Sequence, residues 1–180
     1  HITGNAILLD SVTASTVNID GTTSLSGNVT TTGTQFYTGA LTSTSDRNLT
    51  GTKVTASNMV SGSDSNLTII GNANVTGSIS SVTNFHVTGN AILQDALTVG
   101  SVYIDGTTSL SGNVITTGTQ IYRGDVILSA SDILESSGVG NSGDITFFGS
   151  INSDTTPRSL TVNTSGTTRF TGSIGANSPL

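Results

Sequence analysis

Few side chains of this chain could do chemistry, and their spacing constrains what they do. His1 and His86 are its only histidines, and paired imidazoles invite a metal reading. Both open the same run, His1-Ile-Thr-Gly-Asn-Ala-Ile-Leu and His86-Val-Thr-Gly-Asn-Ala-Ile-Leu, at an offset of 85 residues. In a stacked fold that offset is about four coils, so a strand spacing of about 4.8 Å parts the two rings by nearly 20 Å. One metal cannot use both, and repeated packing or surface positions follow. The carboxylates recur in the same way, as Asp10 with Asp95 and Asp20 with Asp105, while Glu135 is the only Glu. Glycosidases place two carboxylates across the scissile bond, but Asp20-Gly21 and Asp105-Gly106 are turn signatures.

Gly138-Val-Gly-Asn-Ser-Gly143 has the spacing of a dinucleotide loop, which requires a helix after it. Asp144-Ile-Thr-Phe-Phe-Gly follows instead and reads as a strand, so the glycines form a turn. Neither a Gly-x-Ser-x-Gly elbow nor a Gly-Gly-x-Gly-x-Asp calcium repeat is present. We therefore assign no catalytic, cofactor-binding or metal residues and expect a protein that is not an enzyme. Asn5, Asn28, Asn72, Asn90 and Asn113 flank glycines at similar places, which suits Asn side chains that satisfy one another in ladders at corners. Asn28, Asn48, Asn66, Asn74 and Asn163 fall in Asn-x-Ser/Thr patterns, which a chain rich in Asn and Thr generates by chance. An ice-binding face would want Thr-x-Thr in every coil, and that regularity is lacking.

The elements that carry these residues are strands. Thr, Ser and Gly dominate, 33% of residues are hydrophobic, and the apolar ones are mostly Val, Ile and Leu at short intervals. Branched side chains suit a pleated surface, and 22 glycines supply turns. No window has the apolar stripe of an amphipathic helix or the length of a membrane span. Cysteine is absent, so stability rests on burial and backbone hydrogen bonds. A net charge of −6 with only five Lys and Arg argues against nucleic acid or anionic membrane as partner.

Duplication organises the chain. Ile19-Asp-Gly-Thr-Thr-Ser-Leu-Ser-Gly-Asn-Val29 returns unchanged at 104–114, and Thr31-Thr-Gly-Thr-Gln35 returns at 116–120. Residues 1–85 form a first long repeat and 86–180 a second, which carries an insertion around 132–159; together they are expected to form one continuous solenoid domain. A shorter motif recurs inside, as in Leu25-Ser-Gly-Asn-Val29, Val75-Thr-Gly-Ser-Ile79 and Leu110-Ser-Gly-Asn-Val114, mostly at about 23 to 26 residues. Three short strands per such period predict an all-β, right-handed parallel β-helix of roughly eight coils, on the order of 40 Å long. Neither end reads as a cap, so further coils are expected to continue the ladder.

Thr31-Thr-Gly-Thr-Gln-Phe-Tyr-Thr-Gly-Ala40, Thr116-Thr-Gly-Thr-Gln-Ile-Tyr-Arg-Gly-Asp125 and the run 159–175 resemble the repeats of filamentous-haemagglutinin-like bacterial exoproteins, the adhesins of two-partner secretion. That resemblance implies a β-helical shaft, a secreted, extracellular and cell-surface location, and a part in adhesion or biofilm formation. It also implies that the partners are neighbouring coils, end-to-end subunits and host or surface glycans. The Gly-Asn-Ala runs resemble phage tail fibres too, which are the alternative, with a polysaccharide-degrading β-helix enzyme behind them.

Overall fold

A computed structural model describes residues 1–59 and 65–180. These form a parallel β-solenoid whose one helical element is the short 3-10 turn Gly140–Gly143. Three columns of strands run its length. The first stacks Val17–Ile19 under 35–37, 54–56, 73–75, Ala91–Leu93, Thr108–Leu110, Val126–Leu128 and Ile151–Ser153. The second begins Ala6–Leu8, Thr23–Leu25, 41–43 and continues through 79–80, 97–99, Val114–Thr116, 134–136 and 162–164. The third contains Val12–Ala14, Val29–Thr31, 49–50, 67–69, 85–87, 102–104, Gln120–Tyr122, Ile145–Phe147 and Thr168–Phe170. Every ladder is parallel, so each strand finds its backbone partners one turn earlier and one turn later.

Most rungs are three residues long, with the outer two facing in and the middle one facing out. Leu25, Val29, Leu110 and Val114 are at most 1% exposed, which is the inward register expected of them. Burying one such side chain contributes about 1.5–3 kcal/mol, and repetition in every turn makes a dry apolar interior.

The turn is shorter than the expected 23 to 26 residues. Ala6 pairs with Thr23, Val17 with Gln35 and Leu97 with Val114, steps of 17 or 18 residues, and the number of turns departs slightly from eight. The cause lies in the recurring motif, which spells a corner with its flanking residues and is used at all three corners. Leu25–Val29 joins the second column to the third, Val75–Ile79 the first to the second, and Val87–Ala91 the third to the first. A strand with its corner takes about six residues, so the motif recurs every four strands while the solenoid closes every three.

The same mismatch rotates the long repeat. Five turns above Ile19 the first column reaches Leu110, by way of Tyr37, Ala56, Val75 and Leu93. The sequence equivalent of Ile19 is Ile104, one strand short of Leu110 and therefore in the third column. Leu25 and Val29 move likewise from the second and third columns to the first and second at Leu110 and Val114. His1 and His86 accordingly do not lie one above the other: His1 adjoins the first column at Ile2, and His86 sits in the third.

Additional residues of the second copy are spread over two corners. The step grows to 25 at Gln120–Ile145, around the 3-10 turn, and to 28 at Asp132–Leu160, around 154–159. Pairing continues on both sides.

Candidate surface site on the third column

Corners set where side chains can stand out. Gly33, Gly51, Gly71, Gly89, Gly106, Gly124, Gly149 and Gly172 occupy the corner from the third column to the first in successive turns. Backbone rests on backbone there: a Cβ on Gly71 would fall 1.8 Å from the Gly51 carbonyl oxygen, and Gly71 itself has φ +135°. The Asn residues work differently from the expected side-chain ladder. Asn5 Oδ1 accepts the Thr22 N–H (2.9 Å), Asn28 that of Asn48 (2.9 Å), Asn72 that of Asn90 (2.9 Å), Asn90 that of Thr107 (2.9 Å) and Asn113 that of Ile133 (2.9 Å). Each amide satisfies the backbone one turn on, where the corner has broken the regular ladder. The 138–143 glycines form a turn followed by the strand Ile145–Phe147, as their surroundings required.

On the third column the outward row changes character midway. Thr13, Thr30, Thr50 and Thr68 occupy it in the early turns; His86, Tyr103, Ile121 and Thr146 follow. His86 Nε2 donates to Asp105 Oδ2 (3.0 Å), whose Oδ1 lies 3.4 Å from Arg123 Nε. The same Arg123 nitrogen donates to the Tyr103 hydroxyl. Its guanidinium carbon lies 5.2 Å from the Tyr103 ring centre and 5.7 Å from that of Phe148, and the His86 ring meets Tyr103 edge-on at 4.9 Å. Asp105 thus holds a histidine and an arginine in fixed positions while about a third exposed. The first copy keeps only the pair, His1 Nε2 to Asp20 Oδ2 at 3.0 Å, because Asn18 and Thr38 stand where the second has Tyr103 and Arg123.

Two residues before His86, Tyr103 and Ile121, at the corner from the second column to the third, runs a groove of about 340 Å³ with an uncharged lining. Asn84, Ser101, Thr117, Thr119 and Ser142 line it, the last brought by the 3-10 turn. Asn84 Nδ2 donates to Asn66 Oδ1, and Ser101 donates to Asn84, so the amides are held in a line along the axis.

Inside the rod lies a buried polar network repeated in both copies, under the first column in one and under the third in the other. Gln35 Nε2 donates to the carbonyls of Val29 (3.1 Å) and Thr50 (2.8 Å), and its Oε1 accepts from Tyr37 (2.9 Å). Gln120 does the same with Val114 (3.3 Å), Glu135 (2.8 Å) and Tyr122 (3.1 Å). Burial raises both phenols far above the ordinary tyrosine range, and the carboxyl of Asp132 adds to the effect at Tyr122. Tyr122, Phe147 and Phe170 then stack up the inside of the column with centroids 5.1 Å apart in each pair.

Asp132, which the sequence does not single out, is 2% exposed, and neither carboxyl oxygen has a hydrogen-bond partner. Desolvation raises its pKa from 3.8 to about 6, against the opposing pull of Arg158, which is itself tied to Asp154 at 3.0 Å. Among the described residues no group of three or more His, Cys, Asp or Glu could hold a metal, and no helix is long and apolar enough to cross a membrane. Tyr103 and Arg123 were legible as departures: they replace Asn18 and Thr38 inside otherwise repeated runs. No protein-family model, curated protein or solved structure matches the chain.

Proposed function

We propose that the chain is a structural shaft segment of a secreted bacterial surface adhesin or extracellular fibre, extending an attachment region from the cell or helping to build a matrix. The observation that carries this reading is the unbroken stacking of three parallel ladders around an apolar interior, through both copies and past both enlarged corners. Such a rod is stiff because bending it strains backbone hydrogen bonds on all its sides, and it offers few unpaired segments to a protease. Its role is mechanical and no catalytic step is assigned to it. Partners in this reading are further coils of the same ladder or end-to-end subunits, with host or surface glycans as what the parent fibre grips.

Small-angle scattering of the 180-residue chain tests the shape: a cross-section that stays fixed along a particle of about 40 Å is expected from the strand spacing, and a globular profile would refute it. Immunogold labelling of intact source cells tests the place. Label on the surface is expected, and label confined to permeabilised cells removes the adhesin reading. A strictly trimeric mass in solution would favour the tail-fibre alternative.

A further inference from the structure

We infer that the third-column face around Tyr103 and Arg123, with the adjoining groove, is a binding site for a neutral saccharide; this rests on the proposed reading of a glycan-gripping fibre and locates the grip on this segment. Three observations converge on it. The first is concentration of rare residue types. With only five Lys and Arg and eight aromatic residues counted as five Phe and three Tyr, the chain sets Tyr103, Arg123 and Phe148 against one another on the surface. Phe148 is 49% exposed and the Arg123 side chain 54%, so neither stabilises the core.

The second observation is the difference between the copies. The His–Asp pair at His1–Asp20, on the corner from the first column to the second, shows that the same corner sequence folds without Tyr or Arg, since Asn18 and Thr38 serve there. The corner sequence thus does not need Tyr103 and Arg123 in order to fold.

Third, the chemistry on offer is that of sugar hydroxyls, which donate and accept together. Asp105 and the Tyr103 oxygen supply acceptors, Arg123 and His86 supply donors, and their mutual bonds orient them beforehand. Ile121 and Phe148 supply apolar surface for the C–H face of a pyranose. About 7 Å to the side, two residues along each strand, Asn84, Ser101 and Thr119 continue the pattern with amide and hydroxyl groups. Charge selects within the class: Arg123 and Arg169 are set against Asp105 and Asp125 along this face, the groove lining is uncharged, and a net charge of −6 repels polyanions. From the His86 turn to the Phe148 turn is three strand spacings, about 14 Å, the length of a short oligosaccharide.

Affinity electrophoresis of the whole chain tests the site, in native gels cast with dextran, galactomannan or mixed-linkage β-glucan as neutral probes and alginate as the anionic one. Retardation by at least one neutral polymer is expected, with none by alginate. The double variant Tyr103→Asn, Arg123→Thr installs the first copy's residues and so keeps the fold; its circular dichroism should match the parent while retardation is lost. Unretarded parent in every neutral gel, equal retardation of the variant, or retardation by alginate alone would each overturn the inference.

Discussion

The two long copies share most of their sequence over 1–35 and 86–120, yet the solenoid sets them on different columns. Gln35 works in the first column and Gln120 in the third, and each still bonds the carbonyl six residues behind it and the Tyr two residues ahead. The block therefore encodes a succession of strands and corners, not a position on the rod. Both glutamines keep the same buried bonds, so a shift of one third of a turn leaves this inner network intact. It costs the outer residues their neighbours: His1 and His86 look out over different faces, and only the second stands beside Tyr103 and Arg123.

The harshest way to break this equivalence is a charge in the core. Leu25→Asp and Leu110→Asp stand in different columns at 1% and 0% exposure, and each should lower unfolding free energy by about 3–5 kcal/mol, since neither finds a partner inside. Urea denaturation of both variants is the measurement. A variant that melts like its parent would show that its column does not face the interior.

Next in size is the place where the copies part. Asp46 is exposed and takes two hydrogen bonds from Asn66, which hold its carboxyl below the ordinary range, whereas Asp132 is buried without a bond. In the fold Asp132 keeps its proton up to about pH 6, against 3.8 in the unfolded chain. Folding therefore takes up a proton between those values, and stability falls as pH rises from 3.8 through about 6 and stays at its lower level above. Asp132→Asn should remove that slope and raise stability at neutral pH by roughly 2–3 kcal/mol. Denaturation from pH 3 to 8 reads it, and an unchanged slope in the variant would mean that another group is responsible.

The buried glutamines give a milder test of the same equivalence. Gln35→Leu and Gln120→Leu each strand a tyrosine hydroxyl and two carbonyls, at about 2 kcal/mol. The two losses should agree within about 0.5 kcal/mol, the spread of a hydrogen bond's net contribution, because each glutamine makes the same bonds. A clear inequality in urea midpoints would show that the columns are not equivalent environments.

How much of this was legible in the sequence follows from which interactions are local. The parallel stacking, the inward Leu25, Val29, Leu110 and Val114 and the turn at 138–143 depend on alternation and glycine spacing, and all could be read. Turn length could not be read from the Leu-x-Gly-x-Val motif, because a corner motif says nothing about how many corners close a circuit. The rotation of the second copy follows from that same missing number, so the equivalence of His1 and His86 in sequence does not place them on one column of the fold. Asp132 escaped notice for another reason: Ser131-Asp132 looks like Ser45-Asp46, and only the enlarged turn closing over it through Leu160 decides that one carboxyl is buried.

The smallest effect separates the two His–Asp pairs. Both have a 3.0 Å bond, but the His1 side chain is 51% exposed and has no ring beside it, while His86 is 34% exposed and packs edge-on against Tyr103. Ion pairs open to water contribute about 0–1 kcal/mol because solvent screens them and ordering two side chains costs entropy. His1→Ala should therefore fall near zero. His86→Ala loses an aromatic contact as well, worth about 0.5 kcal/mol at the low end for ring pairs, and frees Asp105 to swing towards Arg123. The difference between the two variants, read from paired urea titrations, should be positive, remain below about 1 kcal/mol, and largely vanish in the Tyr103→Asn background. If it persisted there undiminished, the second pair would owe its extra stability to its column and not to the tyrosine added beside it.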